Sequence, residues 1–376
     1  MVAGKCGKRD LLDRVVDDKK FDLAVIGAGP AGSLTASLAA EAGLSTIILE
    51  KENLPRQKIC GGFIAKRALS LLSDDIKLPG EIGIPVNYIK VCSRGKSYSY
   101  DSGNLLGMIT RRKYFDQLLA RHACRKGALL LENSPLESIE EYPGGKSDNF
   151  YYKLITGEAG EKKVTARYLV GADGAFGNSP IFSGLRKNKR QCTGLGLVAS
   201  FNTEKLDKKP GTLEFYPLPF LGGMAWFFAG NDWVSQGLGG IANYKLLKKT
   251  YHQIFPQKNE LHPPESWPLP FLGPLKKAGT GNLLLVGDAA GLVDPFSGEG
   301  LYNSFKSAHI ACSALLEAEK TKKPASLIYN QSYKKQFQKA FFRSLAGAVF
   351  LHGRALICPA SLPEKIAGLM ENSLRF

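Results

Sequence analysis

The chain has 376 residues, of which 44% are hydrophobic; this excludes a disordered protein and predicts two closely joined domains rather than one small core. No apolar run approaches the roughly 20 residues of a membrane-spanning helix, and the N-terminal segment lacks the apolar stretch of a secretory signal. The net charge is +16, but no nucleic-acid-binding motif accompanies the basic residues, so we expect no nucleic-acid partner. Seven scattered cysteines without a CxxC pair indicate a reducing, cytoplasmic location and no metal site.

The first predicted elements carry a glycine-rich turn. A short apolar strand over residues 23–26 runs into Gly27-x-Gly29-x-x-Gly32, and a second buried strand ends at Glu50. In such a βαβ unit the glycines allow a tight turn, close approach of a pyrophosphate, and close packing of the following helix on the strand. The free N–H groups at the start of that helix favour phosphate, and Glu50 lies where an acid binds ribose hydroxyls. This region therefore predicts a dinucleotide site.

The central part of the chain predicts mostly strands. Residues 82–100 alternate apolar and polar side chains, residues 110–126 form a helix, and residues 128–172 hold several short strands. Residues 190–270 are rich in glycine, proline and aromatic residues, which favours an antiparallel sheet.

A second glycine-rich motif follows another predicted strand, at residues 283–286. It reads Gly287-Asp288-Ala-Ala-Gly, then Pro295, then Gly298-Glu299-Gly300. A carboxylate at the end of such a strand suits a ribitol or ribose hydroxyl, although Asp288 is also a common helix N-cap residue. Two motifs from opposite ends of the chain predict one FAD site. Residues 325–376 show a helical pattern of apolar residues.

At this point the chain resembles a known family. The segments P-R-Q-K-I-C-G-G (residues 55–62), R-K-Y-F-D (112–116), G-A-D-G-A (171–175) and the second glycine-rich motif match the group 2 flavoproteins related to para-hydroxybenzoate hydroxylase, and within them the geranylgeranyl reductase branch. The resemblance implies an α/β fold with a Rossmann-type FAD-binding domain of the GR2 type, an inserted antiparallel-sheet substrate domain, and a helical C-terminal region.

The order of the predicted elements, together with this resemblance, divides the chain into parts. Residues 1–20 are expected to form an N-terminal tail. The FAD-binding domain is expected at residues 21–80, 104–189 and 275–320, and the substrate domain at 81–103 and 190–274. Residues 321–376 form the expected C-terminal helical region.

The resemblance also extends the predicted site. The expected FAD-binding residues are Gly27, Gly29, Pro30, Ala31, Gly32, Glu50, Lys51, Arg56, Cys60, Gly61, Gly62, Arg112, Asp173, Gly287, Asp288, Pro295, Gly298, Glu299 and Gly300. Cys60 has two interpretations: an active-site thiol that donates a proton, or a small residue tolerated where the backbone meets the flavin ring.

The substrate side is expected to be an aromatic strand. Gly223, Trp226 and Phe228 match the reductases of the family, whereas Met224 replaces their tyrosine and Ala229 their proline. We expect Tyr216, Met224, Trp226 and Phe228 to bind a hydrophobic small molecule or lipid, because alternate residues of a strand share one face. The alternative is a sheet face buried beneath helices.

One departure concerns the electron donor. The family continues G-A-D-G-A with a serine and an arginine, whereas here Gly177 and Pro180 stand at those positions. This leaves two donors open, NAD(P)H or a protein such as ferredoxin, and a basic surface would suit an acidic partner. The same surface would suit peripheral contact with an anionic membrane.

Three functions follow from these observations. The first is a flavin-dependent reductase that saturates carbon–carbon double bonds of a prenyl or isoprenoid lipid. The second is a flavin monooxygenase that hydroxylates an aromatic or polyketide substrate. The third is a flavin- and lipid-binding protein without turnover.

Overall fold

In the computed structural model, the residues described are 19–93, 95–143, 150–156, 162–187, 194–202, 208–220, 222–256, 263–269, 273–295, 298–346, 364 and 366. The predicted tail at residues 1–20 lies outside them apart from Lys19 and Lys20. Most of the predicted helical region beyond residue 346 also lies outside them.

The chain alternates between strands and helices. The strands are β1 (Lys20–Ile26), β2 (Thr46–Leu49), β3 (Phe63–Ala65), β4 (Gly83–Val86), β5 (Tyr88–Ser93), β6 (Lys96–Asp101), β7 (Gly107–Thr110), β8 (Leu129–Leu131), β9 (Leu136–Pro143), β10 (Phe150–Thr156), β11 (Lys162–Gly171), β12 (Gly194–Asn202), β13 (Leu213–Pro217), β14 (Met224–Ala229), β15 (Trp233–Gly240), β16 (Glu265–Leu269), β17 (Gly279–Thr280) and β18 (Leu283–Leu285). The helices are α1 (Pro30–Glu41), α2 (Lys66–Leu69), α3 (Arg112–Arg125), α4 (Ser179–Phe182), α5 (Tyr244–Ile254), α6 (Leu301–Thr321) and α7 (Ala325–Tyr333), with a 3₁₀ turn at Gly287–Ala290 and a π-helical segment at Lys334–Gln338.

The first sheet contains the predicted dinucleotide-binding strands. Its order is β17-β18-β11-β1-β2-β8, in which β18, β11, β1, β2 and β8 run parallel, while β10 and β9 extend it as an antiparallel pair from β11. Strand β2 is buried along its whole length, as expected of a parallel strand covered on both faces. Helix α1 packs against α3 and α6. Parallel pairing brings the carboxyl ends of β1, β11 and β18, each followed by a glycine-rich segment, to one edge of the sheet.

The second sheet has seven strands in the order β16-β12-β15-β14-β13-β5-β6, antiparallel except for the pair β13 and β5. Strands β3, β7 and β4 form a separate small antiparallel sheet. The predicted fold class is therefore confirmed: a Rossmann-type α/β unit, an antiparallel sheet, and helices after residue 300. Within the described ranges, no helix is both long and apolar enough to cross a bilayer.

Candidate active site

A cavity of about 630 Å³ lies between the parallel sheet and the seven-stranded sheet. The structure brings most of the predicted site residues to its wall: Gly27, Gly29, Pro30, Ala31, Glu50, Lys51, Arg56, Cys60, Gly61, Gly62, Arg112, Asp173, Met224, Trp226, Phe228, Asp288, Gly298, Glu299 and Gly300. Gly32, Gly287, Pro295 and Tyr216 are not among the residues that line it. The cavity thus joins the two glycine-rich motifs at one wall and the aromatic strand at another.

The first glycine-rich turn meets the steric demands of a pyrophosphate cradle. Gly27 has a φ of +102°, and a β-carbon there would lie 2.6 Å from the Ala172 carbonyl oxygen. A β-carbon on Gly32 would lie 2.0 Å from the Gly27 oxygen, so Gly32 serves helix packing rather than the cavity wall. At Gly29 the nearest atom would be Arg56 Nη2, at 3.6 Å. Gly29 also borders the cavity, so its backbone is accessible to a dinucleotide bound there.

A buried network of charges lies beside this turn. Glu50, which is 2% exposed, accepts a hydrogen bond from the Ala28 N–H at 2.8 Å and lies 3.4 Å from Arg56 Nε. Arg56 also reaches Asp116 at 3.2 Å, and Arg112 Nε donates to the same carboxylate at 2.8 Å. Our prediction of the site omitted Asp116, although its i,i+4 spacing from Arg112 on α3 is the signal for such a pair. These bonds orient Glu50 and Arg56 at the cavity wall.

The second glycine-rich motif reaches the cavity through Asp288, Gly298, Glu299 and Gly300. The N-cap of the 3₁₀ turn is Val286, so Asp288 is not the capping residue and its side chain borders the cavity instead. Burial raises the pKa of Glu299, an effect that the buried Arg67 guanidinium opposes; Arg67 Nε lies 3.2 Å from Glu299 Oε2. This ion pair links the start of α6 to α2.

The segment after β11 explains the departure from the family pattern. Asp173 accepts hydrogen bonds from the N–H and hydroxyl of Ser179, at 2.8 and 2.9 Å. A β-carbon at Gly177 would lie 2.0 Å from the Asp173 Cγ, so a serine cannot occupy position 177 in this arrangement. Burial raises the pKa of Asp173, and the Ser179 hydrogen bonds oppose this effect. Ser179 thus provides a serine contact two residues later in the chain.

An arginine that our sequence analysis missed lies behind the same segment. Arg186 is 6% exposed; its Nη1 donates to the Ala175 carbonyl at 2.8 Å and its Nη2 to the Ala289 carbonyl at 3.1 Å. It therefore joins the loop that follows β11 to the 3₁₀ turn of the second glycine-rich motif. No local sequence signal marks this contact, because the two bonded carbonyl groups lie more than 100 residues apart.

The aromatic wall is formed by alternate residues of β14 together with one residue of β13. Met224, Trp226 and Phe228 all line the cavity, and Phe215 lies opposite Trp226 in the strand pairing. The rings of Trp226 and Phe228 are 6.2 Å apart at 29°, and those of Phe215 and Phe228 are 5.6 Å apart at 77°. This face borders both the cavity and a buried apolar cluster.

Tyr216 lies on the opposite face of the sheet. Its hydroxyl donates to Glu214 at 2.8 Å, and its ring packs on Phe255 at 6.1 Å. The cavity residue is its neighbour Phe215, because successive side chains of a strand point to opposite faces. The structure does not bring Tyr216 to the cavity that the other predicted substrate residues share.

The loop of residues 57–62 separates the cofactor side of the cavity from the aromatic wall. Cys60 is half-buried and borders the cavity together with Arg112. A β-carbon at Gly61 would lie 3.0 Å from both Trp226 and Phe228, so this loop touches the wall directly. Burial lowers the pKa of Lys58, partly offset by the Asp288 carboxylate, and its Nζ lies 4.0 Å from the centre of the Trp267 ring. Lys58 is a second cavity residue that we did not predict.

Known proteins share these features. The model of the FAD binding domain matches residues 20–186. A digeranylgeranylglycerophospholipid reductase of Methanocella arvoryzae is 29% identical over 317 residues, which cover 78% of this chain and 76% of that protein. A solved structure from Thermoplasma acidophilum, described as geranylgeranyl bacteriochlorophyll reductase-like, shows the same fold at 22% identity, with a TM-score of 0.75 over 95% of this chain and 92% of that one.

A geranylgeranyl diphosphate reductase of Rhodobacter capsulatus is 30% identical over 329 residues, which cover 82% of this chain and 78% of that protein. Both glycine-rich motifs of this chain lie at one cavity, and their geometry suits FAD. The chain belongs to the geranylgeranyl reductase family of FAD-dependent oxidoreductases.

Proposed function

We propose that this protein reduces carbon–carbon double bonds in the prenyl chain of an isoprenoid lipid. The observation that carries the proposal is the contact between the loop of residues 57–62 and the aromatic wall formed by Phe215, Met224, Trp226 and Phe228. A chain of isoprene units is apolar, so such a wall favours its transfer from water. Relatives whose names specify geranylgeranyl substrates add support to this substrate class.

Reduction of an alkene adds a hydride to one carbon and a proton to the other. Reduced FAD, when bound, supplies the hydride. We assign the proton to the Cys60 thiol, which borders the cavity in the loop beside the aromatic wall. Arg112, which borders the same cavity, is held in place by its hydrogen bond to Asp116.

The remaining residues position these groups. Phe215, Trp226 and Phe228 hold the alkene against the loop and exclude water, while Glu50 and Arg56 orient the cofactor end of the cavity. Two electron donors suit this reaction, NAD(P)H or a reduced carrier protein such as ferredoxin. The formal charge of +16 would favour an acidic protein donor.

Mass analysis of the products tests the reaction. The FAD-loaded protein is reduced with dithionite without oxygen and incubated with geranylgeranyl diphosphate, a geranylgeranylated phospholipid and a membrane extract. We expect products that gain two hydrogens per reduced bond, and a Trp226→Ala variant that retains FAD but turns over poorly.

The same substrates are tested in air with NADPH. Products that gain oxygen, with no anaerobic turnover, would contradict the proposal and identify a monooxygenase. If the protein retains FAD but no substrate reoxidises the reduced flavin under either condition, the result would indicate a binding protein without turnover.

A further inference from the structure

A second cavity, of about 250 Å³, adjoins the first. The two share the loop of residues 57–61 together with Arg112 and Val198. Along β12 the first cavity borders Gly196 and Val198, and the second borders Val198, Ser200 and Asn202. Because these alternate residues share one face of the strand, the two cavities lie end to end along the same side of the sheet.

The second cavity is basic. Lys58, Arg111, Arg112 and Lys113 line it, against one carboxylate, Glu265, at its wall. Arg112 is paired with Asp116, and Arg111 bonds to Asn202 and lies 3.7 Å from Asp232.

Two of these cations form no ion pair with a carboxylate among the described residues. Within the described ranges, the ammonium groups of Lys58 and Lys113 have no carboxylate or hydrogen-bonding partner, and each contacts an aromatic ring, Trp267 or Tyr114. Burial lowers the pKa of Lys58, and the Asp288 carboxylate partly opposes this effect. The second cavity is thus bordered by two lysines whose ammonium groups make no direct ion pair.

The start of α3 forms the same wall. Arg111 is its N-cap and Arg112 and Lys113 are its first two residues, with no acidic residue in the first turn. Basic side chains at the positive end of a helix dipole are unfavourable, whereas an anion there is stabilised by the free N–H groups. Three consecutive basic residues at this end therefore fit a helix start that faces an anion.

A buried hydroxyl provides an independent indication of a ligand. Thr110 borders the second cavity and is 1% exposed, and its Oγ1 has no hydrogen-bond partner among the described residues. Buried hydroxyl groups are normally hydrogen-bonded, so this one lacks an acceptor that a bound oxyanion would supply.

We propose that the second cavity binds a phosphate or diphosphate ester, with Lys113, Thr110 and the first N–H groups of α3 as its ligands. Two sources have this chemistry: the head group of the prenyl substrate, and the phosphates of a nicotinamide dinucleotide donor. The first rests on the proposed function, because the prenyl chain would then lie along the aromatic wall with its head group in the adjoining basic cavity.

Calorimetric titration of the FAD-loaded protein tests this site, because bound FAD keeps the ligands out of the pyrophosphate cradle at Gly29. The ligands are inorganic pyrophosphate, geranyl diphosphate, geraniol and NADPH. The test variants are Lys113→Gln and Thr110→Val. Arg121→Gln is the matched control, since it removes one charge from an exposed position of the same helix. The absorbance of bound FAD is measured for every variant.

We expect pyrophosphate and geranyl diphosphate to bind roughly tenfold more weakly to Lys113→Gln, the loss of one charge-assisted hydrogen bond, with geraniol unaffected. Added salt should weaken the same two ligands. If Lys113→Gln weakens the binding of NADPH but not that of geranyl diphosphate, the bound phosphate belongs to the electron donor, and the phosphate site is retained. If pyrophosphate fails to bind the parent protein, or if Arg121→Gln weakens it as much as Lys113→Gln does, the site is overturned.

A turnover assay separates this proposal from the reaction itself. Phosphate-dependent binding without double-bond reduction would leave the site in place and overturn the proposed reaction. The opposite outcome has three parts: geraniol and geranyl diphosphate have equal KM values, Lys113→Gln leaves both values unchanged, and its affinity for NADPH is also unchanged. That outcome would retain the reaction and overturn the phosphate site.

Discussion

Gly61 lies directly against the indole ring of Trp226: a β-carbon at position 61 would lie 3.0 Å from Trp226 Nε1. The loop that borders the cofactor side of the cavity therefore sets the position of the aromatic wall. Any side chain at position 61 would displace either the loop or the ring, so this contact couples the position of the loop to that of the aromatic wall.

The variant Gly61→Val tests that coupling. We expect turnover of the prenyl substrate to fall by about tenfold or more, because small displacements of reacting groups are costly. FAD absorbance is measured for both variants, and turnover is compared per bound FAD. Gly80→Val is the control, since no atom lies within 4 Å of a β-carbon there. Equal kcat and KM in the two variants would show that the contact does not position the substrate.

The variant Gly29→Val tests the cofactor cradle. A β-carbon at Gly29 would have its nearest neighbour at 3.6 Å, so the fold should tolerate the change while the valine fills the space next to the backbone. We expect a folded protein with little bound FAD, measured as the ratio of flavin to protein absorbance after purification. A yellow Gly29→Val protein with the parent ratio would refute this location of the pyrophosphate.

The variant Cys60→Ala tests the proton donor. If Cys60 supplies the proton, turnover should fall roughly 100-fold or more, the usual contribution of a general acid, with FAD binding retained. Cys92→Ala is the matched control, because Cys92 is also a free, half-buried thiol but lies outside both cavities. If Cys60→Ala is as active as the parent protein, Cys60 is not the proton donor and is only a small residue accommodated in the turn.

The variant Arg186→Met tests the link between the two glycine-rich segments. It removes two hydrogen bonds to the carbonyl groups of Ala175 and Ala289, so we expect a loss of about 3 kcal/mol in the free energy of unfolding. Urea unfolding with and without FAD measures this loss, and the exposed Arg121→Met serves as control. A loss no larger than that of the control would contradict a linking role.

The acid dependence of stability tests Glu214, which lies beneath the aromatic wall. Burial by itself would raise its pKa, but hydrogen bonds from Lys208, Tyr216 and Lys90 outweigh it, so the pKa is lowered from 4.5. A lowered carboxylate pKa stabilises the folded state above the unfolded-state value, and this stabilisation is lost as pH falls through the folded-state value.

We therefore expect the free energy of unfolding to differ between the parent protein and Glu214→Gln by an amount that depends on pH. The difference in unfolding free energy should be largest near neutral pH and should shrink below about pH 4.5, the unfolded-state value. Urea titrations across that range measure it, with the exposed Glu137→Gln as control. A difference that stays constant with pH would exclude an ionised Glu214 as its source.

Much of the cofactor site could be predicted because its residue types are dictated locally. Gly32 is required by its contact with the Gly27 carbonyl within one βαβ unit, and Gly27 by its positive φ in the turn. Asp288 follows directly from the end of a strand. The aromatic wall was predictable through Trp226 and Phe228, because alternate residues of a strand such as β14 lie on the same face. Tyr216 was misplaced because the pattern of a short strand does not reveal which alternate residues face a cavity.

Contacts between distant segments could not be predicted in this way. Asp173 and Ser179 meet through a local turn, but Arg186 is defined by a carbonyl group 103 residues later in the chain. The second cavity depends on residues from α3, β12 and the loop of residues 57–61, and none of these segments carries a recognisable motif for it.

The family, the cofactor class and the parallel sheet are predictable from the amino-acid sequence, because backbone approach to a pyrophosphate restricts which residues can stand at Gly27, Gly29 and Gly32. The folded structure was needed to show that Phe215 rather than Tyr216 faces the cavity, and that Lys58 and Lys113 border a second one. Strand register and the packing of one sheet against another settle which side chains meet, and those depend on the whole folded chain rather than on any local pattern.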